Sequence, residues 1–312
     1  MALKLALPIL DKRAIALARA RMRAWWDGSA FDEAEAKAAI EVAMETAAND
    51  TGVEGELFSL DTTPDDPRLD ALQRIWGKGA VAPFDAPAVA LFPARLGLTA
   101  TATLGLFGPG LSAPVAAIAQ AHLGDIRVFE WREETQGALR RGVTRAKLDK
   151  RVTVSAVDLE TFSAPAEAFD GIVSFDDFTH VDNAARLAQQ ITRALKPKAM
   201  AVIETYCATP GTDIAAGFAS AFCEPQIRTT AALSALLEDA GLRVDADEDI
   251  TDAHIEVAKA GFRRLGEALK EAAALSPGAG RELAWETEAW RVRVRLLASR
   301  RLERRCFTVT RR

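Results

Sequence analysis

Apolar positions between Asp11 and Ala48 fall mostly at helical spacing: Ile15, Leu17, Ala18, Met22, Trp25 and Trp26, then Phe31, Ala34, Ala38, Ile40 and Met44. The pattern predicts two amphipathic helices broken at Asp27-Gly28-Ser29, with the paired tryptophans packed in a core or cap. The polar stretch Asn49 to Pro67 reads as a surface loop, and helical spacing resumes from Arg68 to Gly79. From Leu98 the period changes. Short strand-like runs, ATATLGLF, IRVFEW, VTVSAV, GIVSF and MAVIETY, alternate with helix-capable segments such as VAAIAQAHL and AARLAQQITRAL. Such alternation is the pattern of stacked βαβ units around a parallel sheet. LRVDADEDI follows the helix ALSALLEDA, and two long arginine-rich helical stretches lead into RCFTVTR. That last run predicts a final, antiparallel strand on an otherwise parallel sheet. The domains implied are a helical lead-in over 1–97 and an α/β domain over 98–312, with a late helical insertion at 251–303.

Composition adds exclusions. With 312 residues, of which 49% are hydrophobic, the chain can bury a large core, so disorder is not its main state. A formal charge of −5 predicts no global attraction to nucleic acid or to an anionic membrane. The interleaved acids Glu282, Glu286, Glu288 and Glu303 make the arginine-rich end a salt-bridged amphipathic helix with its tryptophans turned inward. A phosphate-binding or partner surface there is the alternative. Cys207, Cys223 and Cys306 lie far apart, in no C-x-x-C pair, and with only three histidines no metal spacing emerges. Reduced thiols and a cytoplasmic location follow. MALKLALPIL has too short an apolar run for a targeting segment, and no run reaches the roughly 20 residues a membrane span needs.

Candidate chemistry begins at Gly108-Pro109-Gly110, between the first strand and a helix opening at Ser112. Glycines allow close backbone approach and a helix N-terminus presents unpaired N–H groups, which suits a nucleotide; a tight turn is the plain alternative. Glu130 ends the next strand about 20 residues beyond Gly110, the spacing at which an acid accepts hydrogen bonds from ribose hydroxyls. Otherwise it is a glutamate at an exposed strand end.

The order of these motifs resembles class I S-adenosylmethionine-dependent methyltransferases of the bacterial small-molecule type, from Leu98 to the C-terminus. The family's D-x-G-x-G-x-G falls on Leu106-Phe107-Gly108-Pro109-Gly110-Leu111-Ser112, with two glycines kept and the acid replaced by Leu106. FDGIVSF, ending at Phe175, resembles its fourth strand, and VDNAARLAQQITRALKPKAMAVIETY its helix, L-K-P-G-G, strand passage, with Lys198 and Ala199 in place of the glycines. The resemblance implies a Rossmann-like three-layer α/β fold with a mostly parallel sheet, its last strand antiparallel, and a helical N-terminal cap. It implies S-adenosylmethionine as cofactor, held by Gly108, Gly110, Ser112, Glu130, Phe175 and an acid near the adenine. Ser155 stands at that last position, with Asp158 close enough to serve.

Methyl transfer asks little of a protein beyond alignment and, for some acceptors, proton removal. Asp177 and His180 follow the fourth strand on the carboxyl edge of the sheet, where open α/β folds bind ligands. His180 is the candidate base with Asp177 beside it; a helix start capped by Asp177 or Asp182 is the structural alternative. Glu204 and Tyr206 end the fifth strand on the same edge, the phenol either orienting a substrate or reaching water. His122 closes the helix after the loop, and His254 opens a late helix with no evident partner. Two functions follow: methyl transfer to a small molecule, or a non-catalytic methyltransferase-like protein whose helices meet a protein partner. A nicotinamide-dependent enzyme fits the final strand and the LKPKA passage less well.

Overall fold

A computed structural model describes residues 32–34, 37–38 and 66–312, apart from 213, 215–221, 223, 225 and 269–276. The chain divides into two compact units, Met1–Thr62 and Thr63–Arg312. In the first, 33–34 and 37–38 are helical and Lys37 pairs with Glu33 at 2.9 Å. The Trp25-Trp26 pair and most of the two expected helices lie outside the described residues. The second unit takes in part of the expected 1–97 lead-in along with the sheet.

In the second unit, α1 (Pro67–Trp76) starts where Asp66 accepts the Arg68 and Leu69 N–H groups. Short helices α2 (Ala86–Ala90) and α3 (Phe92–Arg95) follow. Then come β1 (Leu104–Phe107), α4 (Ser112–Ala121), β2 (Ile126–Glu130), α5 (Glu133–Arg145), β3 (Val152–Ala156) and β4 (Phe169–Phe175). The chain continues through α6 (Asp177–His180), α7 (Ala184–Ala194), β5 (Leu195–Ala208), α8 (Thr230–Asp239) and β6 (Leu242–Asp249). It ends with α9 (Thr251–Ala268), α10 (Pro277–Ala298) and β7 (Leu302–Arg311).

The seven strands lie in the order β3-β2-β1-β4-β5-β7-β6. β7 runs antiparallel to both its neighbours and every other pairing is parallel, as the sequence pattern predicts. The reversal of order at β1 and β4 leaves a crevice at the carboxyl edge between them.

Alternation along the strands feeds two apolar cores. Phe107, Ile172, Ile203 and Phe307 pack with α7 and α8 residues such as Leu187, Ile191 and Leu237. Leu104, Leu106, Val173 and Val202 point the other way, to Val115, Ile118 and Leu139 of α4 and α5. Fully burying one such leucine or phenylalanine contributes about 1.5–3 kcal/mol, so the sheet is a rigid floor for its carboxyl edge. Leu106 belongs to that floor and is fully buried.

Above the edge, α1, α9 and α10 pack on one another through aromatics. The Trp76 ring meets Trp290 at 4.7 Å and Phe262 at 5.7 Å. Gly261 makes this possible, since a Cβ there would stand 2.6 Å from the Trp76 ring. On α10, Leu283, Trp290, Val294 and Leu297 are buried as expected, but Trp285 is 55% exposed. It falls on the outward face of the helix, correcting the expectation that all the late tryptophans turn inward. Among the described residues, no helix is long and apolar enough to cross a membrane.

Candidate functional site

The β1–α4 loop turns through two left-handed glycines, Gly108 with φ +59° and Gly110 with φ +73°. A Cβ at Gly108 would overlap the Asp177 carboxylate and lie 2.7 Å from the Phe175 carbonyl; one at Gly110 would overlap Val81. Both positions therefore need glycine for conformation and for space. The loop is tied to Glu130, whose Oε2 accepts the Gly110 N–H at 2.7 Å. Glu130 Oε1 accepts the Arg132 N–H at 2.9 Å and the Arg132 guanidinium at 3.0 Å. Arg132 also donates to the Gly108 carbonyl at 3.3 Å. Glu130 is fully buried, not at an exposed strand end.

The family pattern's first acid is the buried Leu106, so β1 brings no carboxylate to the loop. One arrives instead from the end of β4. Asp177 is fully buried; its Oδ1 accepts the Trp131 indole N–H at 2.9 Å and its Oδ2 the Ser174 hydroxyl at 2.6 Å. Burial pushes its carboxyl up to about 7. Asp176, just before it, is left-handed at φ +64°, a conformation that costs a non-glycine residue of order 1–3 kcal/mol. Neither Asp177 nor Asp182 caps the helix that follows: Asn183 accepts the Arg186 N–H at 3.0 Å.

The remaining candidates spread out. The His180 ring lies tilted against Trp131, centroids 4.4 Å apart, half-buried at the edge. Ser112 opens α4, where its hydroxyl stands against Gly142 and Gly79. Phe175 packs its ring on Phe92 at 6.2 Å, in the core beneath the loop. Asp158 is exposed and closes its own turn, accepting the Glu160 N–H at 2.9 Å and the Thr161 hydroxyl at 3.0 Å. Ser155 pairs with Phe129 within the sheet. His122 bonds the Ala102 carbonyl at 2.9 Å, and the carbonyls at the end of α4 go to Arg151 instead.

Facing the loop across the edge is a buried ionic wall. Arg293 of α10 pairs with Glu224 at 2.6 Å, and Arg304 of β7 holds both Asp176 and Glu204. Their guanidiniums lie 4.2 Å and 4.6 Å from the Tyr206 ring centre. The Tyr206 hydroxyl reaches His254 Nε2 at 2.8 Å, which corrects two expectations: the phenol is not in water and His254 has a partner. Burial and the two arginines hold the His254 imidazole well below its ordinary value, and burial pushes Tyr206 up to about 12. The phenol thus keeps its proton and shares a hydrogen bond with a neutral imidazole. Between wall and loop is a cavity of about 110 Å³ whose lining includes Leu69, Leu72, Val81, Arg132, His180, Glu286, Trp290 and Arg293. Among the described residues, no cluster suits a metal ion.

Residues 105–247, from β1 into β6, match a family described as methyltransferase domain. This part of the chain is similar to methyltransferase domains. No curated protein sequence matches it. A phosphoethanolamine N-methyltransferase of Haemonchus contortus, solved with S-adenosyl-L-methionine, superposes at TM-score 0.68 with 19% identity, over 83% of this chain and 60% of that one. A cyclopropane synthase of Mycobacterium tuberculosis superposes at 0.65 with 15% identity, over 80% and 95%. The [4+2]-cyclase SpnF does so at 0.64 with 15% identity, over 78% and 92%. At these identities the likeness is one of fold, and reactions so different on one fold leave the chemistry to the site.

Around the β1–α4 loop the sequence reading missed Trp131 and Arg132, although both adjoin Glu130. An aromatic and a cation directly after the second-strand acid were the available signal. Arg293 and Arg304 gave none, because arginines among interleaved acids read as a solvated face.

Proposed function

We propose that the chain binds S-adenosylmethionine over the β1–α4 loop and transfers its methyl group to a small molecule held in the adjoining cavity. The observation that carries this reading is the bond from Gly110 N–H to Glu130. It joins the glycine loop and the second-strand acid at the carboxyl edge, where the family match and the strand order expect the donor. A carboxylate offers about four lone-pair positions, and Glu130 has three committed. Its Oε2 keeps capacity for a ribose hydroxyl, and a shift of the partly exposed Arg132 side chain frees more. Gly108 and Gly110 offer backbone close to the sugar and the methionine portion.

The donor, when bound, supplies a methyl group already activated on sulfonium, so the chain's residues have to position rather than activate. Trp131, fixed by Asp177, forms a flat surface beside Glu130 and carries His180 toward the cavity. Leu69, Leu72 and Trp290 exclude water from the acceptor. His180, in the cavity lining beside Trp131, is one proton acceptor for acceptors that must lose a proton. The family match favours this reading over a non-catalytic scaffold, and Cys207 and Cys306, both free and buried, agree with a reducing cytoplasm.

Calorimetric titration with S-adenosylmethionine and S-adenosylhomocysteine tests it. Micromolar binding is expected, and a folded protein that shows no heat at millimolar ligand rules the reading out.

A further inference from the structure

Most charges at the cavity are already paired inside the protein. Arg293 is matched by Glu224, Arg132 by Glu130, and Asp176 by Arg304. Arg68 and Glu134 are exposed at the rim, where water screens them. Glu286 is the exception. It lines the cavity from α10, is only 8% exposed, and forms no ion pair among the described residues. Its Oε1 accepts the Trp290 indole N–H at 2.8 Å and the Trp76 indole also acts on it, neutral donors that leave acceptor capacity unused. A buried carboxylate with no cation in direct contact is costly, and such groups mark places where a ligand completes the pairing.

The geometry points to a cationic amine as the methyl acceptor, its ammonium received by Glu286 against the Trp290 indole. This rests on the methyl-transfer reading above and adds the substrate class. An alkylammonium has no lone pair for attack, so one proton must leave first: the N–H bond breaks, an O–H bond forms on Glu286, and the electron pair stays on nitrogen. Burial raises the Glu286 carboxyl above the ordinary carboxylate range, which improves its match to that task. The Arg68 and Arg293 charges both act to lower it again, yet among the described residues neither guanidinium comes within ion-pair distance of Glu286, so its carboxylate oxygens have no cation in contact.

Three isosteric probes decide the charge the cavity prefers: choline, the neutral 3,3-dimethylbutanol and the anionic 3,3-dimethylbutyrate. Each is titrated calorimetrically into the whole protein with and without S-adenosylhomocysteine. Choline is expected to bind about tenfold more tightly than the alcohol and more tightly still than the acid. In Glu286→Gln, whose amide oxygen can keep the Trp290 bond, that preference falls to about that of the alcohol. Equal binding of choline and alcohol, better binding of the acid, or a preference that survives Glu286→Gln each overturns the proposal. The wild-type comparison needs no variant to fold. If S-adenosylhomocysteine itself fails to bind, the methyl-transfer reading falls while the choline comparison without it still decides the cation site. For the proton, dimethylaminoethanol turnover with S-adenosylmethionine should lose about 100-fold or more in kcat in Glu286→Gln. An unchanged kcat removes Glu286 from that step.

Discussion

The loop side of the edge and the wall facing it both bury carboxylates, yet they hold them differently. Beside the loop, Glu130 and Asp177 are satisfied from nearby: by Gly110, Arg132, Trp131 and Ser174, on strands β1, β2 and β4 or directly after them. In the wall, Asp176, Glu204 and Glu224 depend on two guanidiniums from the last helix and strand. Arg304 is separated from Asp176 by 128 residues and Arg293 from Glu224 by 69. The first arrangement is a local motif closed by backbone N–H groups, an indole, a hydroxyl and one guanidinium from the next strand's end. The second exists only once α10 and β7 have docked, and its stability is tied to long-range ion pairing.

Removing one wall cation should therefore give the largest effect. Arg304→Met strands two carboxylates, and breaking a buried pair from one side costs about 3–5 kcal/mol. Urea denaturation should show that loss, against under about 1 kcal/mol for Arg305→Met, whose Asp247 partner is better exposed to solvent. Similar losses for both variants would mean that the wall is no more desolvated than the outer strand.

The loop side should respond to pH instead. Asp177 is raised to about 7 from an ordinary 3.8, so between those values the folded state holds a proton that the unfolded chain has lost. Its contribution is complete below the unfolded value and is lost as pH rises to about 7, at up to about 1.4 kcal/mol per pH unit. Asp177→Asn should flatten that slope in denaturation between pH 4 and 7. Parallel wild-type and variant curves would show Asp177 ionised throughout.

Ligand binding sharpens the comparison further. Glu130→Gln keeps the shape but weakens acceptance of hydrogen bonds at the loop, and a charge-assisted bond contributes about 1.5–3 kcal/mol. S-adenosylhomocysteine affinity should fall roughly 10- to 100-fold by calorimetry, while Glu286→Gln leaves it within about threefold. A reversed ranking would move the donor from the loop to the wall.

This division also explains what could be read from the chain. Strands β1 to β5 follow from apolar runs, because β1 or β4 must be apolar on both faces to lie between helices, and β7 from RCFTVTR, whereas β6 carries four acids and is mostly exposed. Gly108, Gly110 and Glu130 were legible since their spacing is a property of one βαβ unit. Asp177 was placed at the right edge, but not its bonds: that to Trp131 depends on how strands β2 and β4 approach across β1, and that to Ser174 on the left-handed turn at Asp176. The wall was illegible. Arg293, Arg304 and Glu286 sit in a charged, acid-interleaved segment whose local pattern is that of a surface helix, and only tertiary docking turns one stripe of it inward. His254 looked isolated for the same reason, its partner Tyr206 lying 48 residues away on another element.

The smallest expected effect concerns an irregular turn within the first residues of β5, where the family pattern has glycines and this chain has Lys198 and Ala199. β4 and β5 lose register there, Phe169 pairing with Leu195 but Gly171 with Met200, and Lys198 is left-handed at φ +65°. A side chain in that conformation costs of order 1–2 kcal/mol. Glycine removes that cost but gives the unfolded chain about 0.5–1 kcal/mol of extra entropy. Lys198→Gly should therefore stabilise by roughly 0.5–1 kcal/mol and raise Tm by about 1–4 °C. Donor affinity should not change, because the turn lies at the opposite end of β5 from Glu204 and Tyr206. A drop in Tm would mean that the lysine side chain contributes more at the turn than its backbone costs, and that this departure from the family pattern is an adaptation of the turn rather than a tolerated strain.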